Sequence, residues 1–232
     1  MTDGAVVVVG GTAGIGRQVA SHYHARGRHV IVTGRELERA EQVASKIGAG
    51  VEALAFDLAQ PDSIAEALER VGTVSRLVLS AVARDHNPVR DYTIADAVQL
   101  TTMKLVGYTA TVATLATRLD DDGSVVLFGG RSMDRPFPGS TTVTTVNGGV
   151  VAMVTTLALE FAPIRVNAIH PGIVGDSPYW TGKTEYLESV RLRTPTGQLV
   201  RMRDIVESVV FLLENPAVNG VNLPVDGGWL LM

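Results

Sequence analysis

The chain has 232 residues, 46% of them apolar and 19% charged, and a formal net charge of -4. That balance suits one α/β domain with a sizeable core, and it excludes a disordered chain. Without a basic block a nucleic-acid partner is not expected, and without cysteine there is neither a disulfide framework nor a thiolate metal site.

Met1-Thr2-Asp3-Gly4 has no basic segment and no long apolar stretch behind it, so no signal peptide is expected. Nor is any apolar run long enough to suggest a membrane span. A soluble, cytoplasmic protein with no membrane partner is therefore expected. Ala5–Val9 is a continuous apolar run closed by glycines, the pattern of a strand covered on both faces. A helix follows over Gly14–Arg26, then a strand over His29–Thr33 and a charged amphipathic helix over Glu36–Ile47. Val51–Phe56 reads as a third strand. Pro61–Val71 reads as a helix with proline in its first turn. The fourth strand is Arg76–Leu79, and a long, threonine-rich helix is expected over Thr93–Arg118. Ser124–Phe128 is a strand after an Asp-Gly turn, Ser140–Phe161 a helix and Arg165–Ile169 a strand. The last helix and strand are Arg203–Leu213 and Val221–Val225. Pro171–Gly197 breaks this rhythm as one long irregular stretch, of which residues 173–197 are expected to cover a substrate. Strand–helix alternation implies a doubly wound parallel sheet of about seven strands, with helices on both faces, in one domain spanning 1–232.

The first strand runs into Val9-Gly10-Gly11-Thr12-Ala13-Gly14-Ile15-Gly16-Arg17. Glycines there let backbone amides approach a pyrophosphate, whose charge a helix N-terminus favours. The spacing G-x-x-x-G-x-G resembles the TGxxxGIG fingerprint of the short-chain dehydrogenase/reductase family, a Rossmann-type fold. Gly10, Gly14, Ile15 and Gly16 match it, and Val9 replaces the usual threonine. Asp57, beside Leu58, stands where that family places an aspartate near the adenine. Val166-Asn167-Ala168-Ile169-His170-Pro171-Gly172, continuing into Ile173, resembles its VNAIxPG segment beside the nicotinamide. The closing Val225-Asp226-Gly227-Gly228 resembles its VDGG.

The second strand ends in Thr33-Gly34-Arg35, with Gly34 where an NAD-selecting acid would stand. Arg35, with Arg17 and the Thr12 hydroxyl nearby, suits a 2′-phosphate, so the expected cofactor is NADP(H).

The resemblance also implies four catalytic positions, and this chain departs from all of them. The tyrosine and lysine positions fall on Val143 and Asn147, the serine position on Gly130 and the asparagine position on Lys104. The family's NNAG reads Ser80-Ala81-Val82-Ala83, with Ser80 and Ala81 at the cofactor edge. A valine cannot transfer a proton. Lys104 is the first candidate for acid or oxyanion stabiliser, Ser132 a candidate replacement for the serine, and Asn147 a candidate ligand of the nicotinamide ribose. Tyr108, one turn past Lys104, offers no simple substitute. The adjacent Arg84, Asp85 and His86 suggest acid–base work, although neighbours in sequence rarely face one site. His22, His24 and His29 lack ligand spacing, so no metal is expected.

Three readings stay open. The chain is an oxidoreductase for a small carbonyl, alcohol or enone with an altered proton donor, or a catalytically silent NADP(H)-binding sensor or partner protein, or a non-redox enzyme on the same scaffold. The family resemblance implies a homodimer or homotetramer formed through the helices that carry Lys104 and Asn147.

Overall fold

Short apolar runs, the first two rich in β-branched residues, recur along the chain, and in the computed structural model, which describes residues 4–83 and 85–232, they form one parallel sheet. Its strands are β1 (Ala5–Val9), β2 (Val30–Gly34), β3 (Glu52–Ala55), β4 (Val74–Leu79), β5 (Leu119–Phe128), β6 (Arg165–Pro171) and β7 (Asn222–Val225). Their order is β3-β2-β1-β4-β5-β6-β7, all pairs parallel. Side chains alternate across a strand, so each central strand feeds two cores. Val7, Val9, Leu77 and Leu79 pack on one side with Tyr108, Val112, Val150 and Val154. Val6, Val8 and Val78 pack on the other with Val19, Ala20, Ile205 and Val209.

The first of these layers holds α3 (Ile64–Ala67), α4 (Ile94–Thr101), α5 (Tyr108–Leu115) and α6 (Thr141–Glu160). The second holds α1 (Gly14–His24), α2 (Leu37–Ile47) and α8 (Met202–Glu214). Successive strands are added outward from β1 in one sense up to β3 and in the opposite sense from β4 on, and this switch between β1 and β4 opens a crevice at the strands' C-terminal ends.

Four expectations change. The stretch expected to be irregular contains a ten-residue helix, α7 (Thr184–Arg193), after a short 3-10 turn at Pro178–Trp180. The helix expected over Pro61–Val71 shrinks to a 3-10 turn and the four residues of α3. Arg118 takes over its end, donating from Nη1 to the carbonyls of Leu68 (2.6 Å) and Val71 (2.8 Å). β5 begins earlier than expected because Leu119 already pairs with Val74, and the Asp-Gly turn becomes an irregularity inside the strand. The helix expected over Thr93–Arg118 is helical throughout but not uniform. A π-helical turn at Thr102–Gly107 separates α4 from α5, and a 3-10 turn at Ala116–Arg118 follows. Threonines bond back onto this stretch, Thr109 Oγ1 to Leu105 O (2.8 Å) and Thr111 Oγ1 to Gly107 O (2.7 Å). Such back-bonding loosens the i→i−4 ladder, and π turns recur at functional sites.

Candidate functional site

The glycine-rich turn lies at this switch point. Gly10 has φ 82°, and a Cβ there would sit 2.6 Å from the amide nitrogen of Ala81. A Cβ on Gly16 would strike the carbonyl oxygen of Gly10 and the hydroxyl of Ser80, which itself donates to Val9 O at 2.9 Å. The ends of β1 and β4 and the start of α1 therefore meet backbone to backbone. Gly14 has φ 51° and open space beside it, so it is required by conformation and not by packing. The first backbone bond of α1 runs from the Arg17 N–H to Ala13 O at 3.2 Å, and no side chain caps the helix. The amides of Gly14, Ile15 and Gly16 precede that bond and are the helix's uncommitted donors. An uncapped turn of bare backbone fits the pyrophosphate of a dinucleotide.

Thr12 is half-buried, and a Cβ on Gly34 would lie 2.8 Å from its Cγ2. Gly34 is thus also a packing requirement. Arg17 and Arg35 are exposed, and among the described residues no carboxylate pairs with either. Asp57 Oδ1 accepts from the Ala59 N–H at 2.9 Å. Leu58, only 4% exposed, lies in the core, with its carbonyl oxygen packed against Gly107. Pro171, Gly172 and Ile173 are half-buried where β6 ends, and the Gly172 N–H donates to Val225 O at 2.9 Å.

Lys104 occupies the π turn and is 3% exposed. Its Nζ donates to Tyr108 Oη at 3.0 Å and to the Phe128 carbonyl at the end of β5. The Tyr108 hydroxyl in turn donates to Ala81 O at 2.7 Å, just beyond β4. Burial pushes the Lys104 amine down to about 7 and the Tyr108 phenol far above its ordinary value. Near neutral pH the amine is divided between its two forms while the phenol keeps its proton. A neutral amine has two N–H bonds, which match these two acceptors and leave its lone pair uncommitted.

Asn147, buried on α6, donates from Nδ2 to Ser132 Oγ at 2.8 Å. A Cβ on Gly130 would lie 2.8 Å from that same nitrogen, so Gly130, Ser132 and Asn147 form one contact group. Val143 lies half-buried one turn earlier on α6. Two polar pairs thus stand near the end of β5, Lys104–Tyr108 through the Phe128 carbonyl and Ser132–Asn147 through the segment that follows the strand. Arg84 lies outside the described residues. The ring of exposed His86 packs on Gly139, and Asp85 is half-buried. His170 is buried and holds Asn222 Oδ1 through Nε2 at 2.9 Å; burial pushes its imidazole below the ordinary value.

Within the stretch expected to cover a substrate, three aromatic residues pack on one another. Trp180 stacks on Tyr186 (ring centroids 5.0 Å apart) and meets Tyr179 edge-on at 4.7 Å, while the Lys183 ammonium sits 3.7 Å from the Tyr179 centroid. Asp176 Oδ1 accepts from the Met202 N–H at 2.7 Å, at the start of α8. On α7, Arg191 pairs with Glu188 at 2.6 Å. Two residues the sequence reading gave no electrostatic role form a tie beneath the site, where Arg131 Nε meets Asp226 Oδ2 at 3.1 Å. The Lys104–Tyr108 contact had a visible signal, the spacing of four within one helix. The Arg131–Asp226 pair spans 95 positions and had none.

The sequence profile described as "Enoyl-(Acyl carrier protein) reductase" matches residues 10–230. Over 236 residues the chain is 33% identical to the 3-oxoacyl-(acyl-carrier-protein) reductase of Bos taurus, covering 97% of this chain and 98% of that one. It is 27% identical over 237 residues to the L-xylulose reductase of Mesocricetus auratus, covering 97% and 96%. A solved structure described as a "short chain dehydrogenase/reductase family protein" superposes with a TM-score of 0.88 at 28% identity, over 99% of this chain and 98% of that one. The short-chain dehydrogenase/reductase from Brucella melitensis, described as a glucose/ribitol dehydrogenase, gives 0.90 at 25% identity, over 99% and 97%.

Proposed function

Because the chain belongs to the short-chain dehydrogenase/reductase family, a family of nicotinamide-dependent oxidoreductases, we propose that it is an NADP(H)-dependent oxidoreductase with an altered proton donor. Its substrate is a small carbonyl or enone compound, or the corresponding alcohol in the reverse direction. The observation that carries this reading is the Lys104 amine, buried at the ends of β4 and β5 between the Tyr108 hydroxyl and the Phe128 carbonyl.

The cofactor, when bound, supplies or accepts hydride. The amides of Gly14, Ile15 and Gly16 receive its pyrophosphate, and Asp57, Ser80, Ala81 and Pro171–Ile173 line its edge. Arg35, assisted by Arg17 and Thr12, receives the 2′-phosphate. Asn147, held by Ser132, supports the nicotinamide ribose. In reduction the carbonyl carbon gains hydride while its oxygen takes a proton from the Lys104 ammonium, which is left as the neutral amine. An amine poised near neutral pH can give that proton and take one back between turnovers. Val143 contributes only shape, so the usual tyrosine route is closed.

The assembly we propose is a homodimer or homotetramer. Ile94 and Val98 of α4, Val106 of the π turn and Leu159 of α6 are exposed, and α6 carries no charge before Glu160. A Cβ on Gly148 of α6 would meet nothing within 4 Å, so its bareness serves no packing within the chain. A second copy meeting this face across a two-fold axis would use it.

Titration of the purified protein with NADPH and NADH, followed by single turnover against a carbonyl panel read by nicotinamide absorbance, tests the reading. Tighter NADPH binding and substrate-dependent oxidation are expected. No affinity for either reduced nicotinamide would refute it, and binding without turnover of any panel member would favour a silent sensor.

A further inference from the structure

The geometry points to Tyr108 as a positioning residue for the Lys104 amine, an inference that rests on the proton-donor role proposed for Lys104. Two features of the contact carry it. The Tyr108 hydroxyl has its single proton committed to Ala81 O at 2.7 Å. Its oxygen can therefore only accept from Lys104 Nζ, at 3.0 Å. The phenol cannot rotate to offer the amine a proton without abandoning a buried carbonyl, which would cost the desolvation of that oxygen. Tyr108 is itself completely buried, so water cannot replace it. The second acceptor, the Phe128 carbonyl, belongs to β5. The nitrogen is thus pinned between the ends of two neighbouring strands by groups that only accept, and its remaining valence is free for a reacting oxygen.

The surroundings define what the contact does to the proton. Among the described residues, Tyr108 on its own helical stretch contacts the amine, and His170 on β6, pushed toward neutrality by burial, feels the charges of both Arg131 and Lys104. α6 presents the neutral Asn147, and β4 and β5 present carbonyls. Burial, and no carboxylate, governs the ionisation of Lys104. Acceptors are therefore the means of keeping any ammonium at all, because a hydrogen bond to a charged donor is stronger than one to its neutral form. Tyr108 supplies one of two.

Lysine side chains labelled with 15N in the full-length protein allow the Lys104 titration to be followed by NMR, with and without NADPH. In Tyr108→Phe the ammonium loses an acceptor, and its midpoint is expected to fall by about one pH unit. Thr111→Val, which removes the bond to Gly107 O on the same stretch without touching the amine, is expected to leave the midpoint in place. If Tyr108→Phe does not fold, 3-fluorotyrosine at position 108 keeps the shape and weakens the oxygen as an acceptor, giving a smaller fall. An unchanged midpoint in the folded Tyr108→Phe or fluorotyrosine protein overturns the inference, whether or not Lys104 proves catalytic. Loss of turnover in Tyr108→Phe without the titration shift assigns Tyr108 a purely structural role and overturns it as well. Persistence of turnover in Lys104→Met refutes the proton-donor reading alone, leaving the titration coupling to be judged by NMR.

Discussion

Arg35 is exposed just past the end of β2, among the described residues no carboxylate pairs with it, and the neighbouring Gly34 is held side-chain-free by Thr12. If it receives a 2′-phosphate, Arg35→Asp removes a charge-assisted contact and adds repulsion. NADPH affinity should then fall by roughly tenfold to a hundredfold, with NADH affinity changed only a few-fold. Equal losses in a paired calorimetric titration would remove the basis for preferring the phosphorylated cofactor. Lys104 makes a prediction of a different kind. Its amine titrates near 7 when folded and near the usual value of about 10.4 when unfolded. Between those values the unfolded chain binds more protons, so wild-type stability should rise with pH across that window. Lys104→Met should flatten the rise in denaturant titrations, and lower turnover by about 10²–10⁴-fold with NADPH binding retained. A slope that survives the substitution would mean that another group is responsible. Of these residues the glycines and Lys104 were legible, because their spacing alone carries the meaning. The acceptor role of Tyr108 was not, since it depends on where the Ala81 carbonyl points after folding.

The end of α8 shows how elements correct one another. A carboxylate in the last turn, Glu214, opposes the helix dipole. Strand residues compensate. Arg76 of β4 donates to Glu214 from Nε (3.1 Å) and Nη2 (2.9 Å), Tyr23 of α1 donates at 2.7 Å, and Arg165 of β6 donates to Leu212 O at 2.9 Å. Burial pushes the Glu214 carboxyl up, but the bonds from Arg76 and Tyr23 prevail and hold it below the usual range. Its contribution is therefore present above the unfolded value of about 4.3 and is lost as pH falls through the lower folded value. Glu214→Gln leaves the buried Arg76 guanidinium short of its partner and should cost roughly 1 kcal/mol at neutral pH, solvent contact damping the effect. Unchanged thermal melting would contradict this. The same scale explains what local pattern misses. α7 has only Val190 buried and lies between Gly182 and Pro195, so no apolar stripe announces it. The valine run of β1 and the apolar Leu77-Val78-Leu79 that ends β4, buried throughout, announce themselves.

For the whole molecule, the doubly wound parallel sheet followed from strand–helix alternation, whereas assembly is decided by what a single chain leaves uncovered. Leu159 is 78% exposed, and the outer side of α6 continues with Ala152 and Gly148. If a second copy covers this face, Ala152→Glu places a charge in the contact, and sedimentation should show the particle mass fall to that of one chain. A wild-type protein that sediments as a monomer at micromolar concentration would dispose of the proposed assembly.

The π turn at Thr102–Gly107 has one more effect. Because its bonds span five residues and not four, the stretch from Ile94 to Leu115 is not one helical wheel but two, offset against each other at the turn. Residues ahead of the turn look to α6 under one phase and those behind it look to α3 under another. A projection drawn through the full length with a single period would assign the wrong faces on one side of Lys104. Such a chain can tolerate substitutions along this rod far better than the insertion or loss of a single residue within it.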